Sequence, residues 1–249
     1  MTLSADFGHV TLAGAGPGAL AHLTLAVAEA LRTADVVLHD RLVSAEVLAL
    51  AGPQALVIET GKEGFGAARP QDEISALMVG FARAGRAVLR LKSGDPAVFG
   101  RLGEELDALS AAGIGFTVLP GITAASAGAA SLGQSLTERG RNGELRLITG
   151  HDAAGFAEAD WVALARPGAV AAIYMGKKAS RFLQGRLMMH GAAAATPVSL
   201  VENASRPEER VIATTLAGLP EAAASLSGPA VILLGLAPRA ARAGLGVAI

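Results

Sequence analysis

The stretch GAGPGA, Gly14 to Ala19, follows an apolar run at 10–13 and precedes a pattern of helical period at 23–33. Glycines between a strand and a helix let backbone approach a ligand closely, and a helix N-terminus beyond them favours negative charge. The spacing matches the dinucleotide fingerprint G-x-G-x-x-G/A, and Asp35 and Asp40 follow Gly16 by 19 and 24 residues, near where a ribose-binding acid stands. Pro17 points the other way, because it removes an N–H that a phosphate would use. On these six residues a nicotinamide or flavin site and a purely structural tight turn both stay open.

The composition narrows the chemistry. The 249 residues are 51% hydrophobic, enough to bury a sizeable core, and they include no cysteine, which excludes disulfides, thiolate metal sites and thiol nucleophiles. A net charge of −1, one tryptophan and one tyrosine argue against nucleic acid as a partner, since neither a basic surface nor stacking platforms are present. His9, His22, His39, His151 and His190 are scattered without metal-ligand spacing, so no metal is expected. The opening MTLSADFGHV has no basic region and no apolar span, so no membrane partner is expected and a cytoplasmic location is.

Short apolar runs ending in Gly or Asp alternate with helical patterns, which reads as a parallel α/β sheet. In the first half, strands are predicted at 10–13, 36–38, 57–59, 87–91 and 116–119, with helices at 23–33, 45–50, 71–84 and 103–112. The pattern restarts near Glu144, with strands at 145–149, 169–174, 198–202, 211–215 and 231–234 and helices at 178–190 and 216–224. The polar, glycine-containing stretch QSLTERGRNG at 134–143 reads as a linker between lobes 1–133 and 144–249, with a ligand cleft expected at their junction.

Four further stretches accompany the glycine loop in order: HDRLVSAEVLALA at 39–51, LKSGDPAVFGRLGEEL at 91–106, VLPGITAASAGAA at 118–130 and VENASRPEERV at 201–211. Together they resemble the uroporphyrinogen-III C-methyltransferases of the tetrapyrrole methylase superfamily, over nearly the whole chain from Val10 to Ala237. The resemblance implies two α/β lobes with a ligand cleft between them and transfer of methyl groups from S-adenosyl-methionine to two pyrrole carbons of uroporphyrinogen III. The implied product is precorrin-2, on the routes to sirohaem and cobalamin, and the implied assembly is a homodimer.

The resemblance also implies roles for particular residues. Pro17, Ser93, Gly94, Asp95, Val98, Thr123, Ala124, Met175 and Ala204 match positions that lie against the methyl donor. Small residues suit that task, although Gly94-Asp95-Pro96 reads equally as a plain turn. The acceptor carries eight carboxylates, which guanidinium forks bind well, and Arg41, Arg69, Arg101 and Arg139 are the candidates, with Lys62 and Arg141 nearby in motif loops. Asp40 is the implied proton acceptor and Lys62 the implied proton donor; the plain alternatives are a strand-end acid and an exposed loop lysine.

The chain departs from the family pattern in two places. Ala19-Leu20 stands where Asp-Pro usually follows the glycine loop, and Glu138 stands where many members have histidine. Three rival readings are carried forward: a methylase acting on a later corrin precursor, an NAD(P)-dependent oxidoreductase, and a silent binding protein of the same fold.

Overall fold

A computed structural model describes residues 7–61 and 70–239; the candidates Lys62 and Arg69 lie outside the described residues. By contact the chain divides into two compact units, Met1–Ala124 with Ser205–Pro207, and Ala125–Ala204 with Glu208–Ile249.

In the first unit β1 (Val10–Gly14), β2 (Val36–His39), β3 (Leu56–Glu59), β4 (Val88–Lys92) and β5 (Phe116–Leu119) form an all-parallel sheet in the order β3-β2-β4-β1-β5. The connecting helices are α1 (Leu25–Thr33), α2 (Ala45–Leu48), α3 (Gln71–Arg83) and α4 (Leu102–Ala111). Period-two alternation assigns them to faces. Val10, Leu12, Val36, Leu38 and Val88 pack with Met78 and Ala82 of α3 and Leu109 of α4. Ala13, Val37, Leu89 and Leu91 pack on the other face with Val27 and Leu31 of α1 and Val47 of α2.

The neighbours β1 and β4 therefore send their chains to opposite faces, β1 toward α1 and β4 toward α4. Such a switch point opens a crevice beyond the carboxyl ends of the strands, where ligands bind open parallel sheets.

In the second unit α5 (Ala124–Ser131), which joins this unit from Ala125, precedes β6 (Arg146–Thr149), the hairpin of β7 (His151–Asp152) and β8 (Gly155–Phe156), α6 (Trp161–Leu164), β9 (Ala171–Tyr174), α7 (Ser180–Met189), β10 (Pro197–Glu202), β11 (Arg210–Thr215), α8 (Leu219–Ala224) and β12 (Ala230–Leu234). The sheet order is β11-β10-β12-β9-β6, and only β6 and β9 run parallel. The parallel sheet predicted from the apolar runs is thus mixed here, because apolar periodicity carries no information on strand direction.

The division of the chain differs from the predicted lobes 1–133 and 144–249. The run AASAGAAS of α5 lies on the second sheet, where Gly128 faces Val201, Val231 and Leu233; a Cβ there would stand 3.1 Å from Val231 Cγ1, so only small residues permit this approach. The expected linker at 134–143 is a self-bonded loop. Asn142 Nδ2 donates to the carbonyls of Leu136 and Glu144 at 2.8 Å, and Arg141 pairs with Glu138 at 2.9 Å.

Candidate active site at the strand ends

The glycine loop leaving β1 is bound to the loop leaving β4. Gly16 N donates to Gly94 O at 3.1 Å, Gly94 N returns a bond to Gly16 O at 2.8 Å, and Ala15 N donates to Lys92 O at 2.7 Å. Ala19 N donates to Ser205 Oγ at 3.0 Å. The amides of Ala15, Gly16 and Ala19 are therefore already used, and Pro17 has none to offer. No α-helix opens at the loop either: Leu20–His22 is a single 3-10 turn, and α1 begins only at Leu25, capped by Thr24 Oγ1. The GAGPGA stretch is a strand-end brace that matches the dinucleotide fingerprint by spelling alone, and the oxidoreductase reading loses its support.

A third loop, leaving β5, closes on the same point. Asp95 Oδ2 accepts the Gly121 amide at 2.9 Å while Oδ1 accepts that of Ala97 at 2.8 Å. The approach is so close that a Cβ on Gly121 would lie 2.2 Å from Gly94 O. Gly94 itself has φ of +69°, which glycine adopts freely, and a Cβ built on it meets nothing within 4 Å. Main chain is thus presented to open space at the switch point.

Beside this brace lies a buried charge network. Asp40 follows β2; its Oδ1 accepts from Arg90 Nη2 at 2.5 Å and its Oδ2 accepts the Ser93 amide at 3.3 Å. Arg90, 2% exposed, also donates from Nε to Glu105 Oε1 at 2.9 Å and from Nη1 to the carbonyls of Leu38 and Leu91, each at 3.3 Å. Lys92 Nζ reaches both oxygens of Glu105 at 2.8 Å, and Gln71 Nε2 adds a bond to Oε1 at 3.0 Å. Burial works against the Arg90 charge, but Asp40 and Glu105 outweigh it and hold the guanidinium above its ordinary value. Burial, with Arg90 adding repulsion, pushes the Lys92 ammonium below its ordinary value despite Glu105.

Comparison with known proteins gives the family. The family model of the Tetrapyrrole (Corrin/Porphyrin) Methylases matches residues 9–220. The chain belongs to the tetrapyrrole methylases. Within that family it is 45% identical over 228 residues to siroheme synthase 3 of Aeromonas hydrophila, covering 92% of this chain and 49% of the relative. The chain spans about half the length of the curated relatives it matches. The structure of uroporphyrin-III C-methyl transferase from Thermus thermophilus complexed with S-adenyl homocysteine superposes with a TM-score of 0.79 at 37% identity, covering 92% of this chain and 97% of that one. That of a cobalt precorrin-4 methyltransferase superposes with a TM-score of 0.81 at 27% identity, covering 91% and 94%.

The fold of this methylase gathers part of the predicted site. Ser93, Gly94, Asp95 and Val98 follow β4, Thr123 and Ala124 follow β5, and Pro17 lies in the loop after β1, all at the carboxyl ends of one sheet. Met175 and Ala204 belong to the second unit. Met175, 52% exposed, follows β9 with φ of +53°, and Asn203 and Ser205 on either side of Ala204 have φ of +51° and +66°. Left-handed backbone at non-glycine residues is costly and gathers at functional turns.

The predicted cations are less uniform. Arg41 is exposed directly after Asp40, whereas Arg101 binds Glu104 through both Nε and Nη2, at 2.8 and 2.6 Å. Arg139 is exposed in the second unit, in the loop where Arg141 is held by Glu138, Asn142 and the Ser135 carbonyl. Among the described residues no group of three or more His, Asp or Glu side chains is placed to hold a metal ion, and no helix is long and apolar enough to cross a membrane. Arg90, Lys92, Glu105 and Gln71 were not legible as site residues. The one available signal was two cations at alternate positions of an apolar strand, Arg90 and Lys92 in VLRLK.

Proposed function

We propose that this chain is an S-adenosyl-methionine-dependent C-methyltransferase that methylates two pyrrole carbons of uroporphyrinogen III, yielding precorrin-2 for sirohaem and cobalamin formation. The observation that carries the reading is the Gly16–Gly94 brace, with Gly94 open to space, in a fold shared with a protein crystallised with S-adenyl homocysteine. Exposed main chain without side-chain obstruction fits a flat adenine and a methionyl group. Pro17, Ser93, Gly94, Val98, Thr123 and Ala124 are the proposed donor contacts, with Asp95 holding their loop and Met175 and Ala204 completing the set.

The donor supplies an electrophilic sulfonium methyl, and an electron-rich pyrrole carbon attacks it in line, so the chain needs chiefly to orient and to manage a proton. Each methyl transferred leaves one positive charge on the acceptor, discharged by the net loss of one proton; Asp40 accepts the protons that leave the ring system, and Lys62 donates one only where a second proton leaves elsewhere in it. Arg41, Arg69, Arg101 and Arg139 bind acceptor carboxylates. A homodimer in the cytoplasm belongs to the same proposal, and sedimentation of the purified protein tests the dimer.

The deciding experiment is anaerobic incubation with uroporphyrinogen III and labelled S-adenosyl-methionine, followed by mass analysis of the tetrapyrrole. Transfer of two methyls is expected. No transfer with the donor still bound refutes the acceptor, and cobalt precorrin-4 is then the substrate to try, a choice favoured by the 0.81 superposition and by Ala19 in place of an acid.

A further inference from the structure

Four charged side chains, Asp40, Arg90, Lys92 and Glu105, form one chain of ion pairs at the end of the β4 face that carries α3 and α4. The sheet's alternation places Val88, Arg90 and Lys92 on that face, so two cations stand where apolar side chains would be the simpler filling. Removing such ions from water costs several kcal/mol each, and a buried ion pair is no more stabilising than well-packed apolar residues of the same volume. Stability therefore does not account for the network.

Its geometry does. Glu105, fully buried, accepts from Arg90, Lys92 and Gln71 and so has a fixed place between α4 and β4. Arg90 is held at four acceptors: Glu105, the carbonyls of Leu38 and Leu91, and Asp40. Asp40 is the member that emerges, with a side chain 34% exposed, and its two oxygens are divided between Arg90 and the Ser93 amide. The network is anchored at its buried end and presents one carboxylate at its open end, beside the loop that carries Gly94.

We propose that Arg90, clamped by a Glu105 that Lys92 in turn fixes, is the positioning residue that orients the Asp40 carboxylate for its proton transfer and ties it to the donor-side loop through Ser93. This rests on the reading of Asp40 as the proton acceptor. It predicts that Arg90 acts on turnover through Asp40 and hardly at all on binding.

The test uses the full chain with Arg90→Met, Arg90→Lys, Asp40→Asn and the double variant Arg90→Met/Asp40→Asn, with S-adenosylhomocysteine affinity as the control for an intact donor site. Arg90→Met is expected to lower kcat by at least about 30-fold with KM for uroporphyrinogen III within about 3-fold, as for an interaction made only in the transition state. Arg90→Lys is expected to recover part of that loss. In the double variant the Arg90 change is expected to add less than about 2-fold to the Asp40→Asn loss, the signature of residues acting as one unit. A folded Arg90→Met protein with kcat within about 2-fold of the parent, or full multiplication of the two losses, overturns the proposal.

Where Arg90→Met does not fold, Glu105→Gln, which keeps the shape and removes the anchoring charge, carries the same comparison. A parent that binds S-adenosylhomocysteine but does not methylate uroporphyrinogen III defeats the substrate reading alone. The crystal structure of Arg90→Met, or of Glu105→Gln where Arg90→Met does not fold, then decides the positioning: an Asp40 carboxylate displaced from the Ser93 amide supports it, and one left in place overturns it.

Discussion

Asp95 Oδ2 and the Gly121 amide, 26 residues apart in sequence, meet at 2.9 Å and tie the loop after β4 to the loop after β5. The same carboxylate caps Ala97. The aspartate in SGDP thus holds the loop's shape through its side chain while the Cα of Gly94 faces open space.

Asp95→Ala is accordingly expected to weaken S-adenosylhomocysteine binding by at least about 10-fold, measured by calorimetry, because two amides lose a charge-assisted acceptor and the loop relaxes. Asp95→Asn, which retains an oxygen acceptor, should keep more of the affinity. Equal loss in both variants would mean that the charge and not the loop geometry matters.

Gly121→Ala places a methyl group 2.2 Å from Gly94 O, against backbone that cannot yield cheaply. A loss of about 2–4 kcal/mol in urea unfolding is expected, in the range of overpacking and backbone strain. Gly80→Ala, in α3 where an added Cβ meets nothing within 4 Å, should instead stabilise by about 0.5–1 kcal/mol. The contrast separates close approach from helix propensity in one experiment.

Glu202, buried at the end of β10, accepts the amides of Gly228 and Ser227 and pairs with Arg210 at 3.1 Å. Burial opposes its charge, but the amides of Gly228 and Ser227 and then Arg210 outweigh it and hold the carboxyl below the ordinary value of 4.5. The folded chain therefore binds this proton less tightly than the unfolded chain does. Its stabilisation is complete above the unfolded value and is lost as the pH falls through the lower folded one. Glu202→Gln should lower the urea midpoint at pH 7 and flatten its decline between pH 5 and pH 3, while an unchanged acid slope would remove Glu202 as the cause.

NADH and NADPH should not bind. With the amides of Ala15, Gly16 and Ala19 committed and Pro17 without one, the loop lacks the run of free amides that cradles a pyrophosphate. Fluorescence titration checks this directly, and saturable binding at micromolar concentration would restore the dinucleotide reading.

Local chemistry made much of this protein legible. The nine elements of the first sheet region lie within two residues of their expected bounds, because period-two and period-3.6 patterns and the glycine punctuation between them act over a few residues. The predicted strands at 36–38, 87–91 and 116–119 left Asp40, Ser93 to Asp95 and Thr123 in the segments that follow them, and the fold agrees.

Strand direction, partner choice and charge pairing are contacts between residues far apart, and no local period encodes them. Thus the second sheet is mixed although its strands read like those of the first. The AASAGAAS helix belongs to the second unit because its small side chains permit close approach to Val201, Val231 and Leu233. Arg90 and Lys92 read as polar interruptions of a strand until α4 brings Glu105 over them. The sequence by itself determined the elements of the first sheet and the family; only the tertiary structure decided that the Ala15 and Gly16 amides are used up in bracing the loops and that Asp40 is held by Arg90, since both depend on strands made neighbours by long crossovers.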